Sequence, residues 1–152
     1  MTEDEERATQ DRPYTREQMR NACMQLIAAE LTLAGNPAIK VPTFWPGYDV
    51  IAQPPGAEPQ LISVKSCMFK RGEVFVSYLE GDTFDWLAII MLPGDGEPKR
   101  RFFLIPRAVA DAKARHDKPT ATTERYYRID EIAELFAEFE DNFILAREEP
   151  RA

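Results

Sequence analysis

Three charged residues stand where a charge is expensive. Asp49 opens a short apolar run, Tyr48-Asp49-Val50-Ile51-Ala52, and Lys65 lies inside the next, Gln60-Leu61-Ile62-Ser63-Val64-Lys65-Ser66. Two-residue alternation puts Lys65 on the face that carries Leu61 and Ser63. An unpaired charge in Val/Ile-rich sequence is costly, so each residue needs a partner or a task. Glu30 is the third. It follows Leu26 and Ile27 and precedes Leu33 and Ala34 at helical spacing, which predicts a place on the buried stripe of a helix. A carboxylate and an amine on neighbouring strands could share one reactive site. The plainer alternatives are an ion pair of Lys65 with Asp49 or Glu30, and a stripe-edge Glu30 that snorkels to water or pairs with an arginine.

The elements that would position these residues follow from local chemistry. Residues 1–13 are charged and polar and predict a mobile arm. Thr15-Arg16-Glu17-Gln18 has the form of a capping box, and Met19, Ala22, Cys23, Leu26, Ile27, Leu33 and Ala34 continue at helical spacing until Gly35. Strands are expected at 38–41, 48–52 and 61–68. Lys70-Arg71-Gly72-Glu73 is expected to turn the last of these back into a strand at 74–78. Trp86 to Leu92 is uninterrupted apolar sequence, which suits a central strand covered on both faces. Phe102 to Ile105 predicts another strand. Pro106 suits the start of a short helix to about Arg115, and 116–123 is expected to be loop. A last helix opens at Ile129, with Ile132, Leu135, Phe136 and Phe139 inward, and the charged end from 147 is expected to fray. The fold class is therefore α/β or α+β, one domain over 14–146, with a mixed curved sheet of about five to six strands flanked by helices.

Composition limits what the site could be. The chain has 152 residues, enough for one domain with a full core. Its net charge is −7, which argues against a protein that coats nucleic acid indiscriminately. The acid lies at the ends. Residues 1–12 carry −3 and 124–152 carry −5, whereas 65–118 carry +2, so the middle can still present a basic face. No apolar run is long enough to span a membrane, and no targeting segment is evident, so a cytoplasmic protein is expected. Cys23 and Cys67 are not in metal-ligand spacing and predict small buried side chains. The single histidine, His116, lies in polar sequence, which argues against a Ser/His/Asp or His-rich zinc site. There is no glycine-rich phosphate loop.

The order of motifs resembles the PD-(D/E)XK nuclease superfamily, with its restriction-endonuclease-like fold. Its small members have a helix with an inward glutamate, then Gly-x-Asp opening a strand, then a strand bearing a (Glu/Gln)-x-Lys triplet. The matching residues here are Gly47-Tyr48-Asp49-Val50-Ile51-Ala52 and Ile62-Ser63-Val64-Lys65-Ser66. The resemblance covers roughly residues 15 to 145 and includes the later Asp85-to-Ile89 and Phe102-to-Pro106 runs. It implies a Mg²⁺- or Mn²⁺-dependent DNA endonuclease. The metal ligands would be Asp49, Glu30 and the backbone carbonyl of Val64; Ser63 would occupy the triplet's acidic position and Lys65 would be the catalytic lysine. Hard cations prefer oxygen donors, the metal acidifies its water, and the lysine offsets charge in the transition state. Lys70, Arg71, Lys99, Arg100 and Arg101 would contact phosphate, and small nucleases of this kind mostly act as homodimers to cut two strands.

The chain departs from the pattern at two places. Ser63 replaces a Glu or Gln, which removes a charge that Glu30 could restore. The usual helix between the lysine strand and the next core strand is absent. Two alternatives stay open: an inactive member that binds DNA or protein, and an interaction module with an exposed apolar patch near Phe44-Trp45.

Overall fold

The computed structural model describes residues 13–42, 45, 47–68, 75–93, 99–116 and 123–147. Helix α1 spans Arg16–Leu33. Its start is the expected capping box: the Thr15 hydroxyl accepts from the Gln18 N–H, and the Gln18 amide oxygen accepts from the Thr15 N–H. Strands β1 (Ala38–Lys40), β2 (Val50–Ala52) and β3 (Gln60–Met68) follow as antiparallel neighbours. β5 (Trp86–Leu92) runs parallel to β3, and β6 (Arg101–Pro106) runs antiparallel to β5. The resulting five-stranded mixed sheet has the order β1-β2-β3-β5-β6. Then come α2 (Arg107–Lys113), β7 (Glu124–Arg128), α3 (Ile129–Leu135) and a 3₁₀ turn at Ala137–Phe139. No helix among the described residues is long and apolar enough to cross a membrane.

The sheet separates two cores. On one face Met19, Cys23, Met24, Ile27 and Leu31 of α1 pack on Val50, Ile62, Val64, Ala88 and Ile90. On the other face Leu87, Ile89 and Phe103 meet Tyr78, Tyr127, Ile132 and Phe136. All seven residues of β5 are buried, which explains its unbroken apolar sequence. Strand alternation therefore turns Ile62 and Val64 toward α1, and Ser63, Lys65 and Cys67 the other way.

Two elements differ from the sequence expectation. β4 (Phe75–Leu79) does not form a hairpin with β3; it pairs antiparallel with β7 in a separate two-stranded sheet. The expected turn at 70–73 lies outside the described residues. β7 itself falls in sequence that reads as polar approach to a helix. Arg125 pairs with Glu80, just past the end of β4, at 2.7 Å, Arg128 pairs with Asp130 at 3.2 Å, and Tyr126 and Tyr127 are buried. The small sheet is fastened to α2 by side-chain bonds. Tyr78 donates to Asp111, Tyr127 donates to the Ala110 carbonyl, and the Arg107 guanidinium lies 5.3 Å from the Tyr78 ring centroid.

The approach to β2 depends on one glycine. Gly47 has φ +88, and a Cβ there would stand 2.7 Å from the Thr83 backbone nitrogen. Both the left-handed backbone and the close approach exclude a side chain. Gly47→Ala is expected to cost about 1–3 kcal/mol, read as a fall in melting temperature of roughly 3–10 °C. An unchanged melting temperature would show that the loop at Thr83 gives way freely.

Candidate metal and phosphate site

Asp49 is stitched into the sheet by three hydrogen bonds. Its N–H donates to the Ile62 carbonyl at 2.8 Å, and its carbonyl accepts from the Val41 N–H at 2.9 Å. Its carboxylate Oδ2 accepts from the Val64 N–H at 2.8 Å. The register Val50↔Ile62 is the last of the β2–β3 ladder at this end. One step further, the Asp49 side chain replaces the partner strand and satisfies the next N–H of β3. A charged acceptor makes this bond stronger than a neutral one. In an extended strand the N–H and C=O of one residue point to the same edge, so the Val64 carbonyl emerges on the edge that β2 has left. Asp49 Oδ1 and that carbonyl are thus neighbouring oxygen donors at a strand edge.

A matching device holds the other edge of β3. Asp85 Oδ2 accepts from the Leu61 N–H at 2.9 Å, and the Asp85 N–H donates to the Leu61 carbonyl at 2.7 Å. The strand that carries Ser63 and Lys65 is therefore pinned by an aspartate on each side.

Asp49 opens into a cleft of about 220 Å³ lined by Glu17, Arg20, Asn21 and Met24 of α1. These four residues lie on one face of the helix, at spacings of three, four and seven. Glu30 does not line this cleft. It stands six residues beyond Met24, about 9 Å further along the axis. The predicted stripe also ends earlier than expected: Leu33 is 83% exposed and Ala34 is exposed. The buried row is Met19, Cys23, Met24, Ile27 and Leu31, and Glu30 is half-buried at its edge. The helical carboxylate that shares this cleft with Asp49 is Glu17, in the first turn. Sequence reasoning missed Glu17, Arg20 and Asn21. Their common helical face was legible, but the docking of that face against Asp49 was not.

Ser63 is only 3% exposed, and Lys65 is half-buried two residues further on the same face. Among the described residues Lys65 makes no ion pair or hydrogen bond, so the alternative of a structural pair with Asp49 or Glu30 is not formed. Nor do three His, Cys, Asp or Glu side chains gather anywhere among the described residues. Both cysteines are buried free thiols.

The basic candidates divide. Lys70 and Arg71 lie outside the described residues. Lys99 and Arg100 are exposed. Arg101 is not the open phosphate contact that was expected, because its guanidinium grips Glu140 with two bonds of 2.9 and 2.8 Å. Those bonds hold the Glu140 carboxyl below its ordinary value. Trp45 is exposed, with its ring edge-on to Tyr48, and Phe44 lies outside the described residues.

No protein-family model and no curated protein matches the sequence. Solved structures do match. The bacterial homing endonuclease I-Ssp6803I superposes with a TM-score of 0.52 at 13% identity, over 76% of this chain and 78% of that one. The Holliday junction resolvase Hjc of Archaeoglobus fulgidus gives a TM-score of 0.44 at 19% identity, over 74% of this chain and 90% of that one. The first likeness shows the fold, which is restriction-endonuclease-like, as the motif order implied.

Two outcomes test this geometry. Asp49→Asn keeps an oxygen for the Val64 N–H but loses the charge assistance, so it is expected to cost less than Asp49→Ala, which orphans that N–H and should cost about 1–3 kcal/mol in denaturant unfolding. Equal losses would show that the bond does not hold the strand edge. For Glu140 the folded value is depressed, so its contribution is present above the unfolded value of about 4.3 and is lost as pH falls through the folded value. The pair is part-exposed, so Glu140→Gln should remove less than about 1 kcal/mol at neutral pH and flatten the acid limb of the melting curve. An acid limb that stays as steep in the variant would assign the loss to other carboxylates.

Proposed function

We propose that this protein hydrolyses DNA phosphodiester bonds with a divalent metal ion at Asp49. The observation that carries the reading is the Asp49–Val64 bond, which sets a carboxylate beside a backbone carbonyl at a vacated strand edge. The donors fit a hard cation. Mg²⁺ is commonly held by one or two carboxylates together with substrate phosphate and water, rather than by an all-protein cage. Asp49, the Val64 carbonyl and Glu17 would hold Mg²⁺ or Mn²⁺, and no third acid is required. When bound, such an ion supplies an acidified water and neutralises phosphate charge.

The chain's own residues supply the rest. Lys65 offers an ammonium with no protein partner among the described residues. It lies on the sheet face opposite the α1 cleft, and its four-carbon stem would have to carry the ammonium round the strand edge that β2 has left to orient the attacking water and offset charge on the phosphate oxygens. Arg20, in the same cleft as Asp49, can grip a non-bridging oxygen. Asn21 can donate a hydrogen bond to a phosphate or a water there. Ser63 adds no charge, so this reading implies weak metal affinity and a need for millimolar Mg²⁺ or for Mn²⁺. Cutting both strands would take two copies of the site.

A second reading is favoured by two positions. Ser63 is neutral on the lysine face, and Met24 is apolar where α1 faces Asp49. On that reading the domain binds DNA without cutting it. Nicking of supercoiled plasmid separates the two. The first reading expects nicking that needs Mg²⁺ or Mn²⁺ and falls by about 10²-fold or more in Asp49→Asn and Lys65→Met. Salt-sensitive DNA binding with no nicking, and no heat of metal binding, would establish the second. Nicking that persists in both variants would contradict the site.

A further inference from the structure

The opposite flank of α1 carries a larger groove, of about 740 Å³. Its walls are Met19, Ala22, Leu26 and Leu92, with the Tyr14 and Phe102 rings beside them. Lys99 and Arg100 stand on its rim, exposed. Neither makes an ion pair or side-chain hydrogen bond among the described residues. Burial pushes the Cys23 thiol up, opposed by a hydrogen bond with Ser66 and then by the Arg100 charge. Gln18, also on the lining, offers its amide NH₂ as a donor, its oxygen being held by the Thr15 N–H in the capping box.

This is a pocket of ligand size with apolar and aromatic walls and, on its rim, two cations that no described residue pairs with. The charges favour a ligand whose planar apolar part lies a short distance from its anions. We propose that the groove receives an unpaired nucleotide of bulged or branched DNA. The base packs against Phe102 and Tyr14, the Gln18 amide meets its edge, and the flanking phosphates lie on Lys99 and Arg100. Stacking on aromatic rings tolerates any base, and phosphate contacts carry no sequence preference, so the groove selects DNA structure rather than sequence. The inference rests on DNA being the ligand and does not need cleavage at Asp49.

The test compares fluorescence anisotropy of two labelled duplexes at one salt concentration, one fully paired and one with a single-nucleotide bulge. The wild-type protein is expected to bind the bulged duplex about tenfold more tightly. Ala22→Trp fills the groove from an exposed helical position, and Arg100→Glu reverses the rim charge; each should bring the ratio of affinities close to one. Melting curves of both variants confirm that they fold. A wild-type ratio near one, or a ratio that survives Ala22→Trp in the folded variant, overturns the proposal while leaving DNA as the ligand. Failure to bind either duplex overturns the DNA reading itself. Displacement of a groove-directed dye by an acidic, apolar peptide, with no preference for the bulge, would assign the groove to a protein partner.

Discussion

A single hydrogen bond from the Val64 N–H to the Asp49 carboxylate sits where the sheet stops being regular. Up to Val50 and Ile62 the strands satisfy one another. Beyond them β2 has turned away, and the next donor of β3 would be left for water. Asp49 fills that place with a charge-assisted bond and keeps its second oxygen. Structure and candidate chemistry thus share one side chain. The same arrangement accounts for Gly47, whose φ of +88 and contact with Thr83 set the path of the chain into Asp49.

Around that point the sheet is overdetermined. β3 is gripped by Asp49 on one edge and Asp85 on the other, and both of its faces are covered by apolar residues. A rigid strand is what a polar site needs, because a lysine or carbonyl that wanders loses its alignment. The helix contributes differently at its two ends. Its C-terminal half packs through Ile27 and Leu31, while its first two turns separate the Asp49 cleft from the larger apolar groove. The two concavities are lined by opposite faces of that helical segment.

Much of this was legible in residue types. The Thr15/Gln18 capping box, the buried run from Trp86 to Leu92 and the order of Asp49 before Lys65 all follow from local rules. The strand at Glu124–Arg128 was not legible, because its pairing with β4 is non-local and its Arg125 is neutralised by Glu80, far away in sequence. For the same reason β4 was expected beside β3. Glu30 shows the limit of periodicity. Helical spacing placed it near apolar neighbours, but Leu33 and Ala34 are exposed and the cleft lies further toward the N-terminus. Glu17 carries no sequence signal of a site, and only the docking of α1 brings it to the cleft that Asp49 lines. Arg101 was expected among the free cations because Glu140, thirty-nine residues away, gives no local sign of being its partner.

The central claim is that a divalent ion binds at Asp49 and the Val64 carbonyl, with Glu17 and not Glu30 as the second acid. Titration of the isotope-labelled protein with substoichiometric Mn²⁺, followed by amide NMR, tests it most directly. Paramagnetic broadening falls off steeply with distance from the ion. The account predicts early, selective loss of the Asp49, Val64 and Asn21 amide signals while that of Glu30 persists. Loss centred on Glu30, or uniform broadening without a focus at Val64, would contradict it.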